Sequence, residues 1–198
     1  MFILYAIAIG LLVGSILGGR WSALGSIPFR WAPLVLLGFL AQIVLFSDAV
    51  AERVGAAGPL LYVVSTLMVG AAVVRNLRIP GIPLIVLGAA SNMAAILANG
   101  GFMPAAPGAL ASLGKSAPTI YSNSAVVAQP AFELLTDRFA LPRWVPFANV
   151  FSVGDVLLSV GVVMLIVLTM TRARPDRELA AQAGPRVEPQ PASGAGTH

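Results

Sequence analysis

Five apolar runs, Phe2–Gly18, Trp31–Ser47, Pro59–Val74, Pro80–Ala98 and Val150–Thr171, take up most of this chain. A hydrocarbon core of ~30 Å needs about 20 helical residues to cross, and each run approaches that length with few or no charges. Of the 198 residues, 58% are hydrophobic and only 10% are charged, whereas soluble domains carry roughly 25% charged residues. The sequence therefore predicts an all-α fold: a polytopic membrane bundle of five transmembrane helices with a long extracytoplasmic loop. The transmembrane domain is residues 1–172, with a structured outer loop over residues 100–148. Residues 173–198, rich in Pro, Gly, Ala and charge, read as a disordered cytoplasmic tail.

Side-chain chemistry narrows the function classes. The chain has no cysteine, and its one histidine is the last residue, His198. Thiolate nucleophiles, imidazole bases and His-built metal sites are therefore unavailable, and neither a metal nor a cofactor is expected. Catalysis would have to use carboxylates, hydroxyls, amides or the single lysine, Lys115. Composition also excludes nucleic-acid partners, so the sequence pI of about 10.3 is read first as a topology signal.

Basic residues fall mainly on one side of an odd number of helices. Arg20, Arg30, Arg75, Arg78 and the tail arginines Arg172, Arg174, Arg177 and Arg186 share one side. Arg53, Lys115, Arg138 and Arg143 share the other. The positive-inside rule then puts the amino terminus outside and the tail in the cytoplasm, in a bacterial plasma (inner) membrane, with Trp21 and Trp31 at the inner interface. The first run lacks a charged leader and a convincing cleavage site, so it reads as a retained helix. Within it, Gly10, Gly14 and Gly18 form two small-xxx-small steps on one face. Such a face packs closely, either within the bundle or in a homo-oligomer through the first helix.

The polar residues inside or near the spans are few. Ser152-Val-Gly-Asp155 matches a capping box, which makes Ser152 the N-cap of the last helix and Asp155 its partner. An ionisable residue near a membrane is also a functional candidate. Gln42, Asn92 and Asn99 belong to the same outward half, with Asn92 and Asn99 two helical turns apart. Together with Ser152, Asp155 and Ser159 they form either an outward-open polar pocket or a hydrogen-bonded seam between helices. The long loop carries too many apolar residues, Phe102, Met103, Leu110, Phe139 and Trp144 among them, to be disordered. It is expected to fold back as a cap with short interfacial helices. Gly108 to Gly114-Lys115-Ser116 only superficially matches a phosphate-binding loop, because it has five intervening residues where four are needed. Lys115 beside Ser116 is likewise no Ser/Lys hydrolase pair, since adjacent side chains rarely point at one another.

Two resemblances add to this reading. Asn99-Gly-Gly-Phe-Met-Pro104, Leu135-Thr-Asp-Arg-Phe-Ala-Leu-Pro142 and Asn149-Val-Phe-Ser-Val-Gly-Asp155 resemble a family of uncharacterised multi-helix bacterial membrane proteins known only as a domain of unknown function. That resemblance implies a fold and a membrane address but no activity. Phe151-Ser-Val-Gly-Asp155, with Asp137 eighteen residues upstream, is similar over residues 134–170 to lipoprotein signal peptidase, an intramembrane aspartic protease. There Ser152 stands in place of the family's asparagine, and the family has four helices. This second resemblance implies a catalytic Asp137/Asp155 dyad that cleaves a lipidated or hydrophobic peptide, with Asn92, Asn99, Ser152 and Gln42 around the substrate. The main expectation is a non-catalytic membrane protein whose partners are membrane lipids or small molecules, as a binding protein, a transporter or an accessory subunit. The aspartic hydrolase is the alternative.

Overall fold

The computed structural model describes residues 2–114 and 124–172. Its helices are α1 (Phe2–Ile16), α2 (Ala32–Leu45), the four-residue α3 (Asp48–Ala51), α4 (Gly58–Val74), α5 (Ile82–Ala98), the short α6 (Pro107–Ser112) and α7 (Val153–Arg172). The fold is mostly helical, and α1, α2, α4, α5 and α7 fall on the five apolar runs. Prolines open four helices: Pro33, Pro59, Pro83 and Pro107 stand in the first turns of α2, α4, α5 and α6. There the missing N–H has no partner to lose.

Two segments, Gly55–Val74 and Val153–Arg172, each 20 residues, are long and apolar enough to cross a membrane. The other three apolar helices are shorter, at 15, 14 and 17 residues. Apolar character does not mark where the backbone leaves the helix. Leu17 continues the first run in sequence, yet Gly18 at φ +73° already ends α1.

The helices pack in the order α2 on α4, α4 on α5, α5 on α7, and α7 on α1. Glycines line the two most extensive helix contacts, α1 on α7 and α5 on α7. On α1, a Cβ at Gly10 would lie 3.1 Å from the Ile166 side chain, and one at Gly14 would lie 2.6 Å from Met170 Sδ. The glycine face is thus occupied by α7 of the same chain. Gly18 is not part of it: α1 stops before this third glycine, Gly18 is exposed in the turn, and Gly19 takes the close position against Met170. The second seam was not foreseen. Gly81 and Gly88 meet Gly161 and Gly154 where α5 crosses α7 antiparallel, and a Cβ on any of them would collide with the opposite backbone.

The connection between α5 and α7 folds over one end of the bundle. It holds α6 and a 3-10 turn at Glu133–Leu135, but also two short strand pairs in place of further helix. Strand β1 (Met103–Pro104) runs parallel to β2 (Ser124–Ala125), and β3 (Phe139–Ala140) runs antiparallel to β4 (Val150–Phe151). Beneath them Leu45, Tyr62, Ala95, Ile96 and Met103 form a buried cluster that joins the ends of α2, α4 and α5. Phe151 stacks on Phe2 with ring centroids 4.5 Å apart and so ties the cap to α1. Lys115, Ser116 and the tail 173–198 lie outside the described residues.

Candidate functional site

The first turn of α7 folds as the capping box that its sequence spells. Asp155 N–H donates to Ser152 Oγ at 3.1 Å, and Ser152 N–H donates to Asp155 Oδ2 at 3.0 Å. Four orphan donors at a helix start need such partners, and here two are satisfied reciprocally. Asn92 of α5 completes a ring. It donates to Asp155 Oδ1 at 2.8 Å and accepts from Ser152 Oγ at 2.8 Å. Ser152 is wholly buried. This approach is allowed only because position 154 is glycine, where a Cβ would fall on the Asn92 side chain.

Asp137 reaches the same place from the cap. Its backbone is held on both sides, with its N–H donating to Pro104 O and its carbonyl accepting from Ala106 N–H, each at 2.9 Å. Among the described residues the side chain has no arginine partner. Arg138 pairs with Glu133 at 3.3 Å. Arg143 donates to Ala111 O at 2.8 Å and to Ser112 O, closing the carbonyl end of α6. Neither Arg138 nor Arg143 pairs with Asp137. Burial, and then the charge of nearby Asp155, raise the Asp137 pKa from 3.8 to about 7.

Asn92, Asp137, Asp155, Gln42 and Ser159 line one cavity of about 410 Å³, together with Tyr62, Asn149 and an apolar wall that includes Phe2, Ile96 and Met103. Gln42 also donates to Thr66 on α4 at 3.1 Å. Ser152 lies beneath the wall, not on it. Asn99 lies elsewhere. It clamps the cap by accepting from Ala131 N–H at 2.9 Å and donating to Ala131 O at 3.0 Å. The two-turn spacing from Asn92 fails because α5 ends at Ala98 and Asn99 is its non-helical C-cap. Tyr62 and Asn149 were missed by sequence reasoning. Tyr62 sits in an apolar run where nothing distinguishes it from core, and Asn149 lies in a loop whose register the sequence leaves open.

The arrangement places a carboxyl that titrates near neutrality beside a carboxylate already fixed by hydrogen bonds, over a cavity with amide and hydroxyl groups. Such a group donates a hydrogen bond when protonated and accepts one when ionised.

A family model described as "Family of unknown function (DUF5317)" matches residues 26–167. No curated protein and no solved structure matches the chain.

Proposed function

The chain belongs to the DUF5317 family, whose function is unknown, and on that premise we propose that it is an integral membrane protein with a proton-linked binding cavity. All five apolar helices cross the bilayer in this reading, with the cap outside and the tail in the cytoplasm. Support comes from large apolar side chains turned outward on every side: Leu12, Ile43 and Leu60 are each more than 60% exposed. Water would penalise such a surface and lipid would not. Trp144 and Phe147, 84% and 72% exposed on the cap, suit an interfacial position. Helices shorter than a full span are accommodated by local thinning and by flanking interfacial segments, at a modest energetic cost.

The observation that carries the binding reading is Asp137, half-buried over the cavity with its pKa raised to about 7. Its neighbour Asp155 spends an oxygen on each of two structural bonds, to Asn92 and to the Ser152 amide. A residue so committed supports a site more readily than it attacks a substrate. The ligand is a small polar molecule or a lipid headgroup that bonds to the Asp137 carboxyl and the polar side chains beside it.

One observation favours a second reading, the aspartic hydrolase. Asp137 and Asp155 border one cavity and repel each other electrostatically, which is the condition for two carboxylates to share a proton. One would activate water and the other protonate the carbonyl of a lipidated or hydrophobic peptide. The experiment that separates the two uses the parent, Asp137→Asn, Asp155→Asn and the double variant in detergent. Under the binding reading no variant differs from the parent in cleaving a lipidated peptide at any pH between about 5 and 8, while pH-dependent ligand retention in native mass spectrometry disappears in Asp137→Asn. Cleavage by the parent that is lost equally in both single variants and the double establishes the hydrolase instead.

A further inference from the structure

Among the described residues, the end of the bundle opposite the two-aspartate cavity is basic without an acidic counterpart. Among the described residues every carboxylate, Asp48, Glu52, Glu133, Asp137 and Asp155, lies at the capped end, whereas Arg20, Arg30, Arg75, Arg78 and Arg172 lie at the other. Three of these arginines are gathered by a built feature. Asn76, only 4% exposed, accepts from Arg30 N–H at 2.8 Å and donates to Arg30 O at 2.8 Å and Ala72 O at 2.7 Å. That latch fastens the α1–α2 connection to the turn between α4 and α5. A cavity of about 730 Å³ results, lined by Arg30, Arg75 and Arg78 together with Trp31 and Val74. Among the described residues none of the three guanidinium groups pairs with a carboxylate.

We propose that this cavity binds the phosphate of an anionic phospholipid headgroup. Guanidinium groups match phosphate oxygens in charge and in fork geometry. A positive-inside topology signal explains arginines at this end, but needs neither their convergence on one cavity nor a buried asparagine to hold it. A free phosphate offers the same chemistry. The lipid is favoured because half-exposed Trp31 and Val74 put apolar surface on the cavity wall beside the arginines, where a soluble anion would have no use for it. Basic pockets between membrane helices on the cytoplasmic side suit such headgroups. The inference rests on membrane residence and not on the chemistry of the capped end.

The test is native mass spectrometry of the full chain in detergent with phosphatidylglycerol, with phosphatidylcholine of the same acyl chains, and with inorganic phosphate. Expected is retention of phosphatidylglycerol over phosphatidylcholine, no displacement by inorganic phosphate, and a loss of about fivefold for each of Arg75→Gln and Arg78→Gln. Arg172→Gln removes the same charge from the same end but not from the cavity, and is expected to retain the lipid. Equal loss in Arg172→Gln would reduce the effect to general surface charge and overturn the site. Undiminished binding in the double Arg75→Gln/Arg78→Gln variant, or displacement of lipid by inorganic phosphate, overturns it as well. Recovery of folded chain without detergent defeats membrane residence itself, whereas detergent-dependent chain with no lipid preference defeats this inference alone.

Discussion

Asn92 on α5 bonds to Asp155 on α7 at 2.8 Å while the same side chain accepts from Ser152 at 2.8 Å, so one asparagine closes the capping box from a neighbouring helix. Replacing it by an apolar residue leaves a carboxylate oxygen and a buried hydroxyl without their partner. Asn92→Leu is expected to cost roughly 1–3 kcal/mol. Thermal unfolding of the detergent-purified protein checks this, and a melting temperature equal to the parent's would contradict it.

The α5–α7 seam makes a sharper distinction between glycines. At Gly88 an added methyl group meets Gly154 O and Leu158 N, while at Gly70 it meets nothing within 4 Å. Gly88→Ala is expected to destabilise by about 1–3 kcal/mol through overpacking. Gly70→Ala, which gains helix propensity without collision, is expected to stabilise by up to about 1 kcal/mol. Similar melting shifts for the two would remove the seam as the reason for glycine there. On α1, Gly14→Leu is expected to damage the fold more than Val13→Leu, since even a Cβ at Gly14 would lie 2.6 Å from Met170 Sδ.

The helices and the capping box were legible because each has a local signature: apolar runs, first-turn prolines, and Ser152 three residues before Asp155. The proximity of Asp137 to Asp155 was suggested by a resemblance, but its cause was not. It depends on the pairing of Asp137 with the backbone at Pro104 and Ala106, a non-local contact without a periodic signal. Asn99 was misplaced because a seven-residue spacing implies a shared face only while the helix continues. The Gly81/Gly88 and Gly154/Gly161 pairs each repeat at seven residues and could have been read as a second close-packing face. The repeat on α1, with glycine every fourth residue, is the denser signal.

Stability is expected to depend on pH through Asp137. Its pKa in the folded protein, about 7, lies above the unfolded value of 3.8, so folding takes up a proton between them and stability falls as pH rises through that window. Below it the carboxyl is neutral in both states and costs nothing. Above it the penalty is complete, a few kcal/mol at about 1.4 kcal/mol per pH unit. Asp137→Asn removes this term, so its advantage over the parent is expected to grow from near zero at low pH to a plateau above neutrality. Parallel stability curves would contradict the burial of an ionisable Asp137.

Reporter fusions are expected to place residues after Arg172 in the cytoplasm and the cap, residues 100–148, outside. An extracytoplasmic reporter active at the tail would reverse the orientation, and with it the side from which the two-aspartate cavity is reached.

The most direct test of the proton-linked cavity is an isotope-edited infrared titration of the Asp137 carboxyl in the reconstituted full chain. Half-protonation near pH 7 in the parent, moving down when Asp155→Asn removes the neighbouring charge, is the expected result. Titration at the ordinary aspartate value of about 3.9 in both proteins would contradict it.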